Sequence, residues 1–284
     1  MDAAGAPLVL LDGPLGTELE RRGQPLPPPM WSARALVEAP LLISQIHEDY
    51  AEAGAQVHTA ATFRTTARAL AGTEWAARWR ELLELAVTLC RDAVRDAGPA
   101  GARVAGSMAP LEDCFSPART PPAEVLAREH AELARALAAA GCDLLLVETM
   151  PTLRELRAAT AAAAATGLPV WAGITLGPRG DFFDGTGVRE AARAAAEGGA
   201  QAFLLNCTAP PLISRQLEAL FARPAGLALG AYANTIFEGG AEWPPERYVE
   251  EVRRWREAGA TILGGCCGTT PRHIAALRRE LGPP

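Results

Sequence analysis

Two hydrophobic patterns alternate along the chain. Short runs that are apolar on both faces occur at Leu8–Leu11, Gln56–Thr59, Arg103–Gly106, Asp143–Val147, Val170–Thr175, Ala202–Leu205, Leu227–Gly230 and Thr261–Leu263. Between them lie longer stretches with helical spacing of apolar residues: Pro40–Ala53, Glu74–Ala97, Pro122–Ala140, Thr152–Ala165, Val188–Glu197, Leu212–Phe221 and Pro245–Ala258, with a last one over Arg272–Leu281. Pro40 and Pro245 sit where a first helical turn tolerates proline, and Gly54, Gly98, Gly141, Gly167, Gly198 and Gly259 follow the helical stretches as end signals. Strands that are apolar on both faces and separated by helices predict a parallel sheet covered on both sides.

Eight such units in 284 residues predict an α/β fold, a (β/α)8 TIM barrel, as a single domain over residues 1–284. The rival is an open, doubly wound sheet. It is weakened by the first turn, Asp12-Gly13-Pro14-Leu15-Gly16-Thr17, which lacks the Gly-x-Gly-x-x-Gly pattern. The proline-rich Gln24–Met30 reads as a rigid loop, and neither a linker nor an internal repeat interrupts the alternation.

Composition narrows the function classes. The net charge is -6 and 49% of residues are hydrophobic, so no basic surface points to nucleic acid or an anionic membrane. The N-terminus carries no secretory pattern, and no apolar run reaches membrane-spanning length. Six cysteines are too few for a disulfide scaffold in a chain this long, which predicts a reduced, cytoplasmic protein whose thiols serve metal binding, catalysis or packing.

In a barrel of this kind the active site gathers at the C-terminal ends of the strands. The residues there include Asp12 and Gly13, Thr62, Ser107, Glu148, Thr175, Asn206 with Cys207, Tyr232, Asn234, and Cys266 with Cys267. Cys207 and the adjacent Cys266 and Cys267 fall at the ends of the sixth and eighth strands, two apart around the ring. Three thiolates with one open position suit a catalytic zinc site. The flanking Gly264, Gly265 and Gly268 are expected to give the backbone the unusual dihedrals that aim neighbouring side chains at one ion. Spacing alone leaves two other readings open. The cysteines pack a core, or the Gly-rich turn cradles phosphate at the start of the last helix. Cys90, Cys114 and Cys142 read as inert. His58, inside a strand, reads as packed, and Tyr232 and Asn234 as hydrogen-bonding or functional. Trp31, Phe182 and Phe183 are candidates either for packing or for cation–π contact with a charged ligand.

At these residues the chain resembles the homocysteine S-methyltransferase family of zinc-dependent barrels. The resemblance covers nearly the whole chain. It runs through Leu11-Asp12-Gly13 and Gly16-Thr17-Glu18-Leu19-Glu20-Arg21-Arg22-Gly23, then Thr59-Ala60-Ala61-Thr62-Phe63-Arg64, Gly106-Ser107 and Leu146-Val147-Glu148-Thr149. It ends with Leu205-Asn206-Cys207-Thr208-Ala209-Pro210 and Gly264-Gly265-Cys266-Cys267-Gly268-Thr269-Thr270-Pro271. The resemblance implies Cys207, Cys266 and Cys267 as ligands of Zn2+. It implies Asp12 and Gly13 at the amino-acid part of homocysteine, Glu148 at its ammonium, and Thr62, Ser107 and Asn206 in the same pocket. The glycine usual after the serine motif is missing from Gly106-Ser107-Met108-Ala109-Pro110, a departure on the donor side.

The chemistry agrees. A free alkyl thiol has a pKa of about 8.5, and the thiolate is the nucleophile in methyl transfer. Coordination to zinc deprotonates a thiol. The expected partners are L-homocysteine and a small methyl donor. The chain's ending at Pro284, without folate or cobalamin modules, favours a sulfonium, S-methylmethionine first and S-adenosylmethionine next. The alternatives are a homocysteine-binding module whose partner protein supplies the methyl group, and a metal-free barrel enzyme with a phosphate-binding turn.

Overall fold

The computed structural model describes residues 8–220, 226–236 and 242–282. Eight parallel strands appear where the apolar runs predict them: β1 (Val9–Leu10), β2 (Val57–Thr59), β3 (Arg103–Met108), β4 (Leu144–Met150), β5 (Val170–Ile174), β6 (Ala202–Asn206), β7 (Ala228–Ala233) and β8 (Ala260–Gly265). Neighbours in sequence are neighbours in space, and β1 pairs with β8. The ring closes between β1 and β2 through the Leu11–Val57 bridge. Two backbone bonds support it, Gln56 N–H to Leu10 O at 2.7 Å and Asp12 N–H to Val57 O at 3.0 Å. The fold is a (β/α)8 barrel.

The helices are α1 (Leu15–Arg21), α2 (Ala35–Glu38), α3 (Pro40–Glu52), α4 (Trp79–Ala97), α5 (Ala123–Ala139), α6 (Leu153–Ala164), α7 (Val188–Glu197), α8 (Pro210–Leu220), α9 (Pro245–Glu257) and α10 (Pro271–Leu281). The short α1 and α2 were absent from the sequence prediction, because neither is long enough to show a periodic face. Prediction placed the end of α8 at Phe221, which lies outside the described residues, as does the segment 1–7. Among the described residues no helix is long and apolar enough to cross a membrane.

Strand side chains alternate between two cores. Leu145 and Val147 face the helix layer, whereas Leu144 and Leu146 join Val57, Ala105, Trp171 and Leu204 inside the barrel. Continuing the inward series by one more step reaches Glu148 on β4, Asn206 on β6 and Ser107 on β3. The barrel interior therefore changes from apolar to polar at its C-terminal end, and that change positions the site.

Candidate active site

The three cysteines meet. Cys207 follows β6, Cys266 and Cys267 follow β8, and their Sγ atoms all lie within 4.8 Å of one another. Two of the separations are 3.9 Å (Cys207–Cys267) and 4.0 Å (Cys266–Cys267). Tetrahedral zinc with Zn–S bonds of about 2.3 Å would hold its sulfurs about 3.8 Å apart. The donor set is soft, and all three cysteines are free thiols, so residues and spacing fit such an ion. Hydrogen bonding to the Cys266 and Cys267 thiols, and then burial, push the Cys207 thiol well up. Donation from Cys207 and then Cys266 holds Cys267 well below its ordinary value. Sulfurs this close repel as thiolates, and a cation among them would relieve that repulsion.

The glycines act differently from expectation. Only Gly268 takes a left-handed conformation, at φ +81°. Gly264 and Gly265 supply room. A Cβ on Gly264 would stand 2.4 Å from Leu11 Cβ, and one on Gly265 2.0 Å from Thr269 Oγ1. The strained ligand is Cys207 itself, at φ 47°. It is held by its own N–H to Tyr232 O at 3.1 Å and by Thr175 Oγ1 on its carbonyl at 3.3 Å. Asn234 Nδ2 points at Cys207 Sγ from 3.8 Å, a placement that orients the sulfur.

A cavity of about 270 Å³ opens above the cysteines. Asp12, Gly13, Glu148, Tyr232 and the three thiols line it, whereas Thr62, Ser107 and Asn206 do not. Those three are fully buried behind the wall. Ser107 Oγ donates to Glu148 Oε1, and Tyr232 OH donates to Glu148 Oε2 at 3.1 Å. Thr62 Oγ1 accepts from Ser107 N–H at 2.9 Å and donates to its carbonyl at 3.1 Å, bracing that strand end. Burial pushes the Glu148 carboxyl up to about 7 against the pull of its Ser107 and Tyr232 hydrogen bonds. Burial likewise raises Asp12 to about 8, although Thr59 donates from N–H at 2.7 Å and from Oγ1 at 3.1 Å. Among the described residues, no arginine or histidine lines the cavity.

Asn206 reaches across β5 to β4. Its Oδ1 accepts from Thr149 N–H at 3.0 Å, and its Nδ2 donates to Thr149 Oγ1 at 2.7 Å. Thr149 is the second strained residue of the site, at φ 59°. Gly173 makes the crossing possible, since a Cβ there would lie 3.0 Å from Asn206 Oδ1.

The phosphate reading finds little support in the turn itself. The amides of Gly265, Cys266 and Thr269 donate to the carbonyls of Asp12, Ala233 and Cys266. Those of Gly268 and Thr270 are taken by Thr17 Oγ1 and His273 Nδ1. Trp31 and Phe182 lie outside the cavity wall, and Phe182 is buried in the helix-side core. Phe63, Phe115 and Cys114 do line the wall. Burial pushes the Cys114 thiol up to about 12, in keeping with an inert group. His58 is packed as predicted, with Nε2 3.0 Å from Ala55 O.

Comparison with known proteins gives the same assignment. The homocysteine S-methyltransferase family model matches residues 9–281. The Escherichia coli homocysteine S-methyltransferase is 32% identical, over 95% of this chain and 94% of its own. The Bacillus subtilis homocysteine S-methyltransferase YbgG is 30% identical, over 97% and 96%. A selenocysteine Se-methyltransferase of Brassica oleracea is 28% identical, over 96% and 88%. Among solved structures, the metallated form of the Escherichia coli homocysteine methyltransferase MmuM superposes with a TM-score of 0.85 at 32% identity, covering 98% of this chain and 97% of that one. With its sulfur cluster, its acidic cavity and these relatives, the chain belongs to the homocysteine S-methyltransferase family.

Proposed function

We propose that the protein moves a methyl group from a small sulfonium, S-methylmethionine first and S-adenosylmethionine next, to the sulfur of L-homocysteine, giving methionine. Cys207, Cys266 and Cys267 hold Zn2+ in this reading. The observation that carries it is the cluster of three sulfurs within 4.8 Å of one another, in a cavity whose wall, among the described residues, includes the carboxyls of Asp12 and Glu148 and no basic side chain. The reaction forms a carbon–sulfur bond to homocysteine and breaks the donor's methyl–sulfonium bond. The electron pair of the broken bond stays on the donor sulfur, and the thiol proton of homocysteine is released. When bound, the zinc would stabilise the acceptor sulfur as a thiolate at neutral pH.

The chain's own residues orient the reactants. Glu148, fixed by Ser107 and Tyr232, receives the ammonium of homocysteine. Asp12 and Gly13 bound the same end of the cavity, and the buried wall excludes water from the sulfur. Asn234 keeps Cys207 aimed at the metal. In a reducing cytoplasm the trio stays reduced and available as thiolates to the metal.

Metal analysis and a donor panel test the reading on the full chain. About one zinc per chain is expected, lost in Cys207→Ser together with methionine formation from homocysteine and S-methylmethionine. Full transfer by metal-free protein would sink the zinc assignment. If the zinc-loaded chain makes methionine from no small donor, the partner-dependent reading takes over.

A further inference from the structure

The loop between β3 and α5 supplies part of the cavity wall, where its Cys114 stands with the three site cysteines. Connecting loops run over the surface and are ordinarily more mobile than the elements they join. This one is held near both ends from a single place, the first turn of α6. That helix opens with Thr152-Leu153-Arg154-Glu155, a spacing in which the glutamate usually folds back on the helix start to complete a capping box. The threonine half of the box forms, with Thr152 Oγ1 accepting from Glu155 N–H at 3.4 Å. The glutamate side chain reaches the loop instead, and its Oε1 accepts from Leu111 N–H at 2.8 Å. Its neighbour Arg154 donates from Nη2 to Thr120 O at 2.9 Å, towards the other end of the loop.

Holding the loop this way carries a cost. Glu155 and His130, on α5, are both buried. His130 Nε2 lies 3.2 Å from the same Oε1 that serves Leu111, while Glu155 Oε2 and His130 Nδ1 find no partner among the described residues. A buried polar atom left unpaired costs about 1–3 kcal/mol. An apolar pair would pack α5 on α6 without that penalty, but it could not hold the Leu111 amide. The same turn also takes the loop after β5, since Leu153 N–H donates to Asp184 Oδ2 at 2.9 Å. It follows closely on the end of β4, which carries Glu148. One turn of helix thus sets the Cys114 side of the cavity against the strand end that bears the buried carboxyl.

We propose that Glu155 is a positioning residue for methyl transfer: through Leu111, and with Arg154 holding the loop near its other end, it keeps the Cys114 wall of the cavity in register with Glu148. The inference rests on the reading of this cavity as the place where the methyl group moves. Two readouts on the zinc-loaded full chain test it. The first is the rate at which iodoacetamide labels each cysteine, resolved by peptide mapping. Cys90, Cys114 and Cys142 are all buried free thiols, so release of the loop alone and loosening of the whole barrel leave different patterns. Glu155→Ala should speed labelling of Cys114 roughly 5- to 100-fold and leave Cys90 and Cys142 at their wild-type rates. Glu155→Gln keeps an acceptor for Leu111 and should restore the slow rate. Arg154→Ala, a change at an exposed side chain, should speed Cys114 by about 2- to 10-fold and carries the test if the Glu155→Ala chain does not fold. The second readout is kcat/KM for transfer from S-methylmethionine to homocysteine. It should fall roughly 10-fold or more in Glu155→Ala at unchanged metal content and recover in Glu155→Gln. Parallel acceleration at all three cysteines would show that Glu155 only packs. Unaltered kcat/KM with Cys114 released would show that the loop has no part in the reaction, and either result overturns the proposal. If the wild-type chain accepts no small donor, the donor reading fails by itself. The labelling pattern then decides, and Cys114 at its wild-type rate in both alanine variants overturns the positioning role.

Discussion

Replacing Asn206 by alanine isolates the contribution of one buried amide to the whole site. Asn206→Ala removes both hydrogen bonds that hold Thr149. The Thr149 N–H is then left buried without a partner, at a cost of about 1–3 kcal/mol. The left-handed backbone of Thr149, strained by about 1–2 kcal/mol for a residue with a Cβ, is present in the wild type too, and its relaxation would offset part of that cost. The net loss is therefore at most about 1–3 kcal/mol, or a fall in Tm of about 2–10 °C. Function should respond separately. Thr149 follows Glu148 directly, so its release should misaim that carboxylate and raise KM for homocysteine, while the metal stoichiometry stays at its wild-type value. Thermal melts, metal content and KM measured on the same preparations check all three. Adding Thr149→Gly, which accepts a positive φ without strain, should restore part of the Tm and part of the KM. An Asn206→Ala protein that melts as the wild type does, or a Thr149→Gly addition that restores neither quantity, would refute the reasoning.

Other outcomes follow from the same geometry. Glu148 and Asp12 have folded-state values raised to about 7 and about 8. Their contribution to stability is therefore fully present below the unfolded carboxyl values near 4 and is lost as pH rises through the folded ones. Metal-free protein should melt at progressively lower temperature from about pH 5 to about pH 9. Glu148→Gln should flatten the part of that slope lying between the unfolded carboxyl value near 4 and about 7, and an unchanged slope would contradict the assignment. Gly265→Ala puts a Cβ 2.0 Å from Thr269 Oγ1. It should cost about 1–3 kcal/mol and, in the proposed metal-bound form, loosen the metal in a chelator competition, although the substitution removes no ligand; metal retention equal to wild type would count against the packing argument.

The barrel was legible because its strands are buried on both faces, so that segments such as Val170–Thr175 and Ala202–Leu205 read as unbroken apolar runs ending in polar residues. The cysteine trio was legible for the same reason, since Cys207 and Cys266 stand where such runs stop. What sequence could not supply was side-chain reach. Asn206 looks like a pocket residue in the chain order, yet its amide crosses β5 to Thr149 because Gly173 leaves the space. The glycines around Cys266 were read as sources of backbone freedom. Two of the three are instead sites of close packing against Leu11 and Thr269, a long-range contact that no local pattern encodes. Phe115 was overlooked as a wall residue because its loop is held from Arg68 and Glu155, which lie on separate elements far away in the sequence.

Asp12 joins two parts of this molecule. Its carboxylate bounds the cavity and also ties β1 to β2 through Thr59, at the seam where a single bridge closes the ring. Any ligand that engages this carboxylate acts on the fastening between the first and second staves of the barrel. Occupancy and mechanical integrity are thus linked by mass action. The enzyme should resist heat and proteolysis in proportion to how full its cavity is, with the gain concentrated on the wall that has the fewest backbone bonds of its own.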